Sequence, residues 1–170
     1  FRYRAGQFLT FEVPWNGMQL RRCYSLSSAP ETDPWPKVTV KRVEDGRVSN
    51  WFNERLNVGD SILVQPPEGR FVLRSNEGDH GIVLFGGGSG VTPVLSILKS
   101  ALRSTQRDVK LIYANRDERS IIFKDEIEVW RAELPERLEV VHHLDSESGF
   151  MSVADVREHI RGWEDAEFFV

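Results

Sequence analysis

The chain has 170 residues, 40% of them hydrophobic and 28% charged, with a formal net charge of −4, which is ordinary for a globular protein of one domain or two small ones. No Lys/Arg run stands clear of neighbouring acids, which argues against a nucleic-acid partner, and no apolar run approaches the roughly 20 residues that cross a bilayer. One cysteine, Cys23, excludes an internal disulfide and a cysteine-based metal site, so no metal ligands are expected. A lone thiol fits a reducing compartment, and a cytoplasmic location is the expectation. No signal peptide is visible. The chain opens at Phe1 and stops on the apolar Phe168-Phe169-Val170, so both ends are expected to be cuts in a longer polypeptide.

In chain order, the first half reads as short strands between turns. In Phe8–Val13, Leu9, Phe11 and Val13 face one way and Thr10 and Glu12 the other. Val38–Val43 and Ser61–Gln65 are similar β-prone runs, separated by turn clusters at Ala29–Pro36, Glu44–Gly46 and Gln65–Gly69. A short helix is predicted from Ser49-Asn50 to just before Asn57–Asp60. Strands at this spacing suggest an all-β barrel or sandwich.

After about Arg74 the rhythm changes, and Ser75–Gly81 is a plausible boundary. Ile82–Phe85 predicts a buried strand, Gly86–Gly90 a loop, and Val94, Ile97, Leu98, Ala101 and Leu102 one face of a helix. Strand Val109–Asn115, helix Phe123–Leu134, strand Leu138–Leu144, a helix capped by Ser152 and strand Glu167–Val170 follow. Such alternation means a parallel sheet with crossover helices. His142 and His143 point to opposite strand faces and read as structural or solvated. The tryptophans, Trp15, Trp35 and Trp51 among them, read as packing.

Gly86-Gly87-Gly88-Ser89-Gly90-Val91-Thr92-Pro93 joins a core strand to a helix. Glycines let backbone N–H groups approach a diphosphate, and the helix N-terminus favours an anion. Thr92 is expected as N-cap and Pro93 as first helical residue. Val91 stands where the dinucleotide fingerprint has its last glycine, and no phosphate-loop lysine is present, so NTPase chemistry is disfavoured. A flexible Gly/Ser turn is the plainer alternative, but linkers are rarely framed by a core strand and an amphipathic helix.

Arg22-Cys23-Tyr24-Ser25 offers a cation, a ring for stacking and a hydroxyl, with Arg22 and Tyr24 on one strand face and Ser25 on the other. This run resembles the R-x-Y-S flavin motif of the ferredoxin–NADP reductase superfamily. Ala5-Gly6-Gln7-Phe8 resembles the P-G-Q-[FY] lead-in, and Gly46-Arg47-Val48-Ser49 the segment that wraps the FAD diphosphate. Pro67-Glu68-Gly69-Arg70-Phe71 is similar to the turn closing the flavin barrel. Gly87–Pro93 is similar to the loop opening the nicotinamide domain. These motifs run in the family's order across nearly the whole chain. Tyr113–Phe123 with His143-Leu144-Asp145 looks like the reductases that serve bacterial oxygenases, of the 3-ketosteroid 9α-hydroxylase and phenylacetyl-CoA epoxidase type.

The resemblance implies two domains. An antiparallel β-barrel flavin domain spans 1–76, incomplete at its N-terminus. An α/β parallel-sheet nucleotide-binding domain spans 77–170, incomplete at its C-terminus. It further implies that Arg22 pairs with the flavin diphosphate, Tyr24 stacks on the flavin and Ser25 bonds near flavin N5. Val40 and Lys41 would line the adenosine side, while Gly46, Val48 and Ser49 would donate to the diphosphate. Gly87, Gly88, Ser89 and Gly90 would approach NAD(P), with Thr92 near the nicotinamide, so that Tyr24, Ser25 and Thr92 flank the chemistry. Asn115 and Arg116 would lie at the adenosine ribose, where Asp117 suits a 2′-OH and Arg116 or Arg119 a 2′-phosphate; a solvated turn is the alternative there.

The implied cofactors are FAD and NADH or NADPH, with a lean to NADH. The implied partners are an iron–sulfur domain or protein, its cluster in a segment outside this chain, and a terminal oxygenase. A flavohaemoprotein-like reductase feeding haem, or a non-catalytic flavin-fold module, are the competing functions. The family's Cys-Gly-Pro motif, expected directly after Val170, is missing.

Overall fold

The alternation of Leu9, Phe11 and Val13 becomes strand β1 (Phe8–Trp15), with all three side chains buried. The computed structural model describes residues 1–74 and 78–170. Asn16 and Gly17 both take positive φ, the turn that fits a two-residue hairpin, and β2 (Met18–Ser25) returns antiparallel with Leu9 opposite Tyr24 and Phe11 opposite Arg22. Strand β3 (Leu63–Val64) pairs with the other edge of β1. Helix α1 (Arg47–Glu54) puts Val48 into the core formed by Leu9, Phe11, Val13 and Leu26.

The antiparallel expectation holds, but among the described residues the sheet stays open, in the order β2-β1-β3, rather than closing as a barrel. Val38–Val43 is not a strand. It makes one bridge, Val38 to Leu26, because its backbone is claimed by side chains: Asn53 Nδ2 donates to Val40 O at 3.3 Å and Val43 N to Ser49 Oγ at 3.3 Å. The Ser61–Gln65 run shortens to β3.

The second half is a parallel sheet in the order β6-β5-β4-β7, built from β4 (Ile82–Gly87), β5 (Val109–Asn115), β6 (Leu138–Leu144) and β7 (Glu167–Phe169). Its crossovers carry α2 (Val91–Ser104), α3 (Lys124–Glu133) and α5 (Val153–His159). Ser152 caps α5 through a reciprocal box with Asp155, as its sequence leads one to expect. The sequence did not announce α4 (Asp145–Ser148).

Thr92 is not an N-cap. A single 3₁₀ turn over Gly88–Gly90 precedes α2, so Gly90 holds that position and Thr92 lies inside the helix. Trp35 is 74% exposed and so does not pack. The expected boundary at 76/77 lies outside the described residues. No helix among those described is long and apolar enough to cross a membrane.

The two halves meet along α2. Ala5 is buried in the core of the parallel-sheet half, with Phe71 and Leu73 packed against it. Gly6 has φ +93°, and a Cβ there would stand 2.1 Å from Phe71 O and 3.0 Å from Ile97 Cδ1, so the close approach of this segment to α2 requires glycine.

Candidate functional site

Parallel strands leave a crevice at their carboxyl ends, and β4 ends there in the glycine loop. Gly88 has φ +49°, and a Cβ on Gly87, Gly88 or Gly90 would meet no protein atom within 4 Å, so the loop backbone faces open space. Thr92 is 7% exposed, and its hydroxyl donates to Ser89 O at 3.2 Å, closing the loop on itself. Among the described residues no side chain caps α2 or α1, which leaves first-turn N–H groups of both helices for an external acceptor.

Three clefts run along the junction. The first, of 610 Å³, has Gly87 and Gly88 on one wall, Asn115 and Arg116 from the end of β5, and Asp145 and Phe150 from beyond β6, with Lys41 reaching over from the first half. Asn115 is buried, and among the described residues neither polar atom of its amide makes a close hydrogen bond, although its side chain interacts with the Tyr113 hydroxyl. Burying an amide without close hydrogen bonds is costly, so this one is poised for a ligand. The second cleft, of 370 Å³, joins Tyr24, Ser25, Lys41 and Ser49 to Ser89, Gly90 and Thr92. The third, of 330 Å³, shares Ser25, Gly90 and Pro93 and adds Phe8, Phe71 and Phe85.

Tyr24 is wedged edge-on against Phe11 and Phe52, with ring centroids 5.9 and 5.4 Å away. Burial raises its phenol pKa, so the hydroxyl stays protonated. Ser49 organises its own loop, donating to Gly46 O at 3.3 Å and accepting from Val43 N. Asn50 Oδ1, one residue on, is buried and without a hydrogen-bond partner among the described residues.

The clefts thus gather Tyr24, Ser25, Lys41, Ser49, Gly87, Gly88, Ser89, Gly90, Thr92, Asn115 and Arg116. Arg22, Val40, Gly46 and Val48 do not line them. Arg22 shares the face of Tyr24 but is exposed and donates to Arg21 O at 2.7 Å, and Val48 is a core residue whose backbone alone is at the helix start. Asp145 and Phe150 were not anticipated as lining residues. His143 is buried with Nε2 2.9 Å from Gly149 O. Both ring nitrogens of His142 are buried without a hydrogen-bond partner among the described residues.

This donor set fits two dinucleotides: uncapped helix starts and open glycine backbone for diphosphates, Lys41 and Arg116 as cations, the Asn115 amide for a ribose or base, and Tyr24 with Ser25 for a planar ring system.

Comparison with known proteins agrees with this geometry. The oxidoreductase FAD-binding domain model matches residues 1–73 and the oxidoreductase NAD-binding domain model residues 84–167. The ferredoxin reductase component of 3-ketosteroid-9-alpha-monooxygenase from Rhodococcus rhodochrous is 46% identical over 171 residues, covering 100% of this chain and 48% of the relative. A glycine betaine monooxygenase reductase subunit from Chromohalobacter salexigens is 36% identical, covering 88% of this chain and 41% of that one. The chain therefore spans about half the length of the curated relatives it matches. A variant ferredoxin–NADP+ reductase from Plasmodium falciparum superposes with TM-score 0.83 at 20% identity, over 99% of this chain and 73% of that one, a likeness of fold. With an FAD-binding oxidoreductase domain followed by an NAD-binding one, the chain belongs to the ferredoxin–NADP reductase superfamily.

Proposed function

We propose that this chain is the flavin- and nicotinamide-binding core of a reductase component that takes reducing equivalents from NADH and passes electrons singly to an iron–sulfur domain or protein feeding a terminal oxygenase. The observation that carries this reading is the continuity of the clefts, which brings Tyr24-Ser25 and Gly90–Thr92 to opposite sides of one groove. FAD, when bound, supplies a centre that accepts a hydride from NADH and gives up its electrons one at a time. The rest falls to the chain: Tyr24 and Ser25 orient a planar ring, the α1 start and Arg22 hold a diphosphate, and the Gly87–Gly90 backbone holds the second one. Lys41, with the neighbouring Val40, is assigned to the flavin's adenosine end, and Ser49 with the Gly46 and Val48 backbone to its diphosphate. Asn115 and Arg116 receive the nicotinamide nucleotide's ribose. We assign 1–76 to the flavin domain and 77–170 to the nucleotide domain, and infer a cytoplasmic setting.

The preference for NADH is supported by charge. The Asp145 carboxylate lines the first cleft, and Arg116 Nε is held 3.0 Å from Asp117, so a 2′-phosphate would meet a carboxylate and a cation already paired. The test is ferricyanide reduction by the flavin-loaded full-length protein. NADH should outperform NADPH by about tenfold or more in kcat/KM. Inactivity with both nucleotides refutes the reading.

A further inference from the structure

Ser96 and Lys99 lie three residues apart on α2, hence on one helix face, and both are buried polar residues turned towards the first half of the chain. Ser96 Oγ donates to Ser28 O at 2.5 Å and accepts from Gly6 N at 3.2 Å. Lys99 Nζ is 2.9 Å from Asp33 Oδ2 and 2.9 Å from Glu126 Oε1, with a side chain 3% exposed. The far ends are themselves fixed. Asp33 accepts from Ala29 N at 2.9 Å and from Thr32 Oγ1 at 3.0 Å, and Lys37 Nζ is 2.7 Å away. Ser28 Oγ accepts from Tyr3 at 2.7 Å and from Lys37 N at 2.9 Å.

We propose that Ser96 and Lys99 are positioning residues that lock the loop Gly90–Thr92 against Tyr24-Ser25 and so set the alignment of nicotinamide and flavin. The proposal rests on the cofactor placement of the preceding section. Ser28 is three residues past Ser25, and Ser96 one helical turn past Thr92, so the lock grips each side of the groove close to the groups it aligns. Lys99 lies about 10 Å along the helix from Thr92 at 1.5 Å per residue, so a small tilt at Lys99 becomes a displacement of order 1 Å at the loop. Misplacement on that scale costs a reaction of this kind about a hundredfold.

A buried ion pair is a poor source of stability compared with apolar packing, but it fixes geometry because its partners are directional and costly to separate. The apolar contacts at this junction, Ala5, Phe71 and Leu73, have no such directionality. The cluster is also balanced, with Lys37 and Lys99 facing Asp33 and Glu126. Removing Lys99 would leave Asp33 paired with Lys37 alone and cut its tie to α2.

The test uses flavin-loaded protein with Ser96→Ala and, as the stronger perturbation, Lys99→Met. Stopped-flow flavin reduction separates the limiting rate from the Kd for NADH. Amide hydrogen exchange reports Gly6, whose N–H is bonded to Ser96. Flavin content should be unchanged and Kd should stay within about twofold, while the limiting rate falls roughly tenfold or more and Gly6 exchanges faster. A general structural role would instead lower flavin content and raise Kd together. That outcome, or an unchanged limiting rate, overturns the proposal. Should Lys99→Met fail to fold, Ser96→Ala alone decides by the same criteria. If neither NADH nor NADPH reduces the wild-type flavin, the functional reading falls; the lock is then judged by Gly6 exchange, and unaltered exchange in Ser96→Ala overturns it separately.

Discussion

Tyr113 donates its hydroxyl proton to Gly88 O at 3.1 Å and accepts the Ile122 N–H at 3.2 Å. A fully buried ring on the central part of the parallel sheet therefore props the one residue of the glycine loop that takes positive φ. Burial raises the phenol pKa, so the donor persists through neutral pH. Tyr113→Phe removes the prop and strands the Ile122 N–H. The expected cost is about 1–2 kcal/mol in a denaturation midpoint, with NADH binding weakened severalfold and flavin content untouched. Equal stability and equal nucleotide affinity would contradict this role for the hydroxyl.

Legibility in the sequence followed the range of the forces involved. Strands β5 and β6 emerged with the expected bounds because each has a β-prone apolar centre, Leu111-Ile112-Tyr113 and Val140-Val141, of the kind a helix-covered parallel sheet buries. Val38–Val43 has strand propensity, yet Asn53 and Ser49 compete for its backbone, and those partners are set by tertiary structure. Thr92-Pro93 has the composition of a helix start, but the 3₁₀ turn over Gly88–Gly90 moved the start forward. Ser96 and Lys99 fall outside the apolar stripe read from the sequence, and their partners Ser28 and Asp33 lie over 60 residues away, beyond the reach of periodicity. Asp145 and Phe150 enter the first cleft only because β6 and β5 are neighbours in register.

Asp145 provides a direct handle on nucleotide choice. Its carboxylate lines the cleft beside Arg116 and Asn115, where a 2′-phosphate would add roughly two negative charges. Asp145→Ser removes the repulsion and supplies a hydroxyl donor. The ratio of kcat/KM for NADH over NADPH should fall by about tenfold, mainly through a lower KM for NADPH. An unchanged ratio would show that Asp145 plays no part in the preference.

His142 sets an acid-side dependence of stability. Burial lowers its pKa from the ordinary 6.5, and its ring lies 6.0 Å from that of Tyr113 with neither nitrogen hydrogen-bonded among the described residues. As pH falls through 6.5 the unfolded chain takes up a proton that the folded protein refuses, so the unfolded state gains and stability drops. Above that value the residue contributes no slope. His142→Leu should flatten the loss of stability between neutral pH and the folded-state pKa, followed by urea midpoints across that window. A slope identical to wild type would place the acid sensitivity elsewhere.

Arg137, at the start of β6 and the end of the sheet opposite the clefts, closes the C-terminus of α2. Its NH1 donates to Leu102 O at 3.1 Å, and NH2 to Thr105 O at 2.9 Å and Arg107 O at 2.7 Å. Terminal helix carbonyls have no partner within the helix, and a cation there also complements the helix dipole. Arg137→Met keeps the apolar stem but removes the fork, and should destabilise by about 2–3 kcal/mol in urea denaturation. Arg137→Lys should recover only part of the loss, because an ammonium lacks the planar fork that reaches three carbonyls. NADH-driven flavin reduction by the folded fraction should be unchanged in both variants, which separates the thermodynamic closure of α2 at this end from the alignment set along its middle by Ser96 and Lys99.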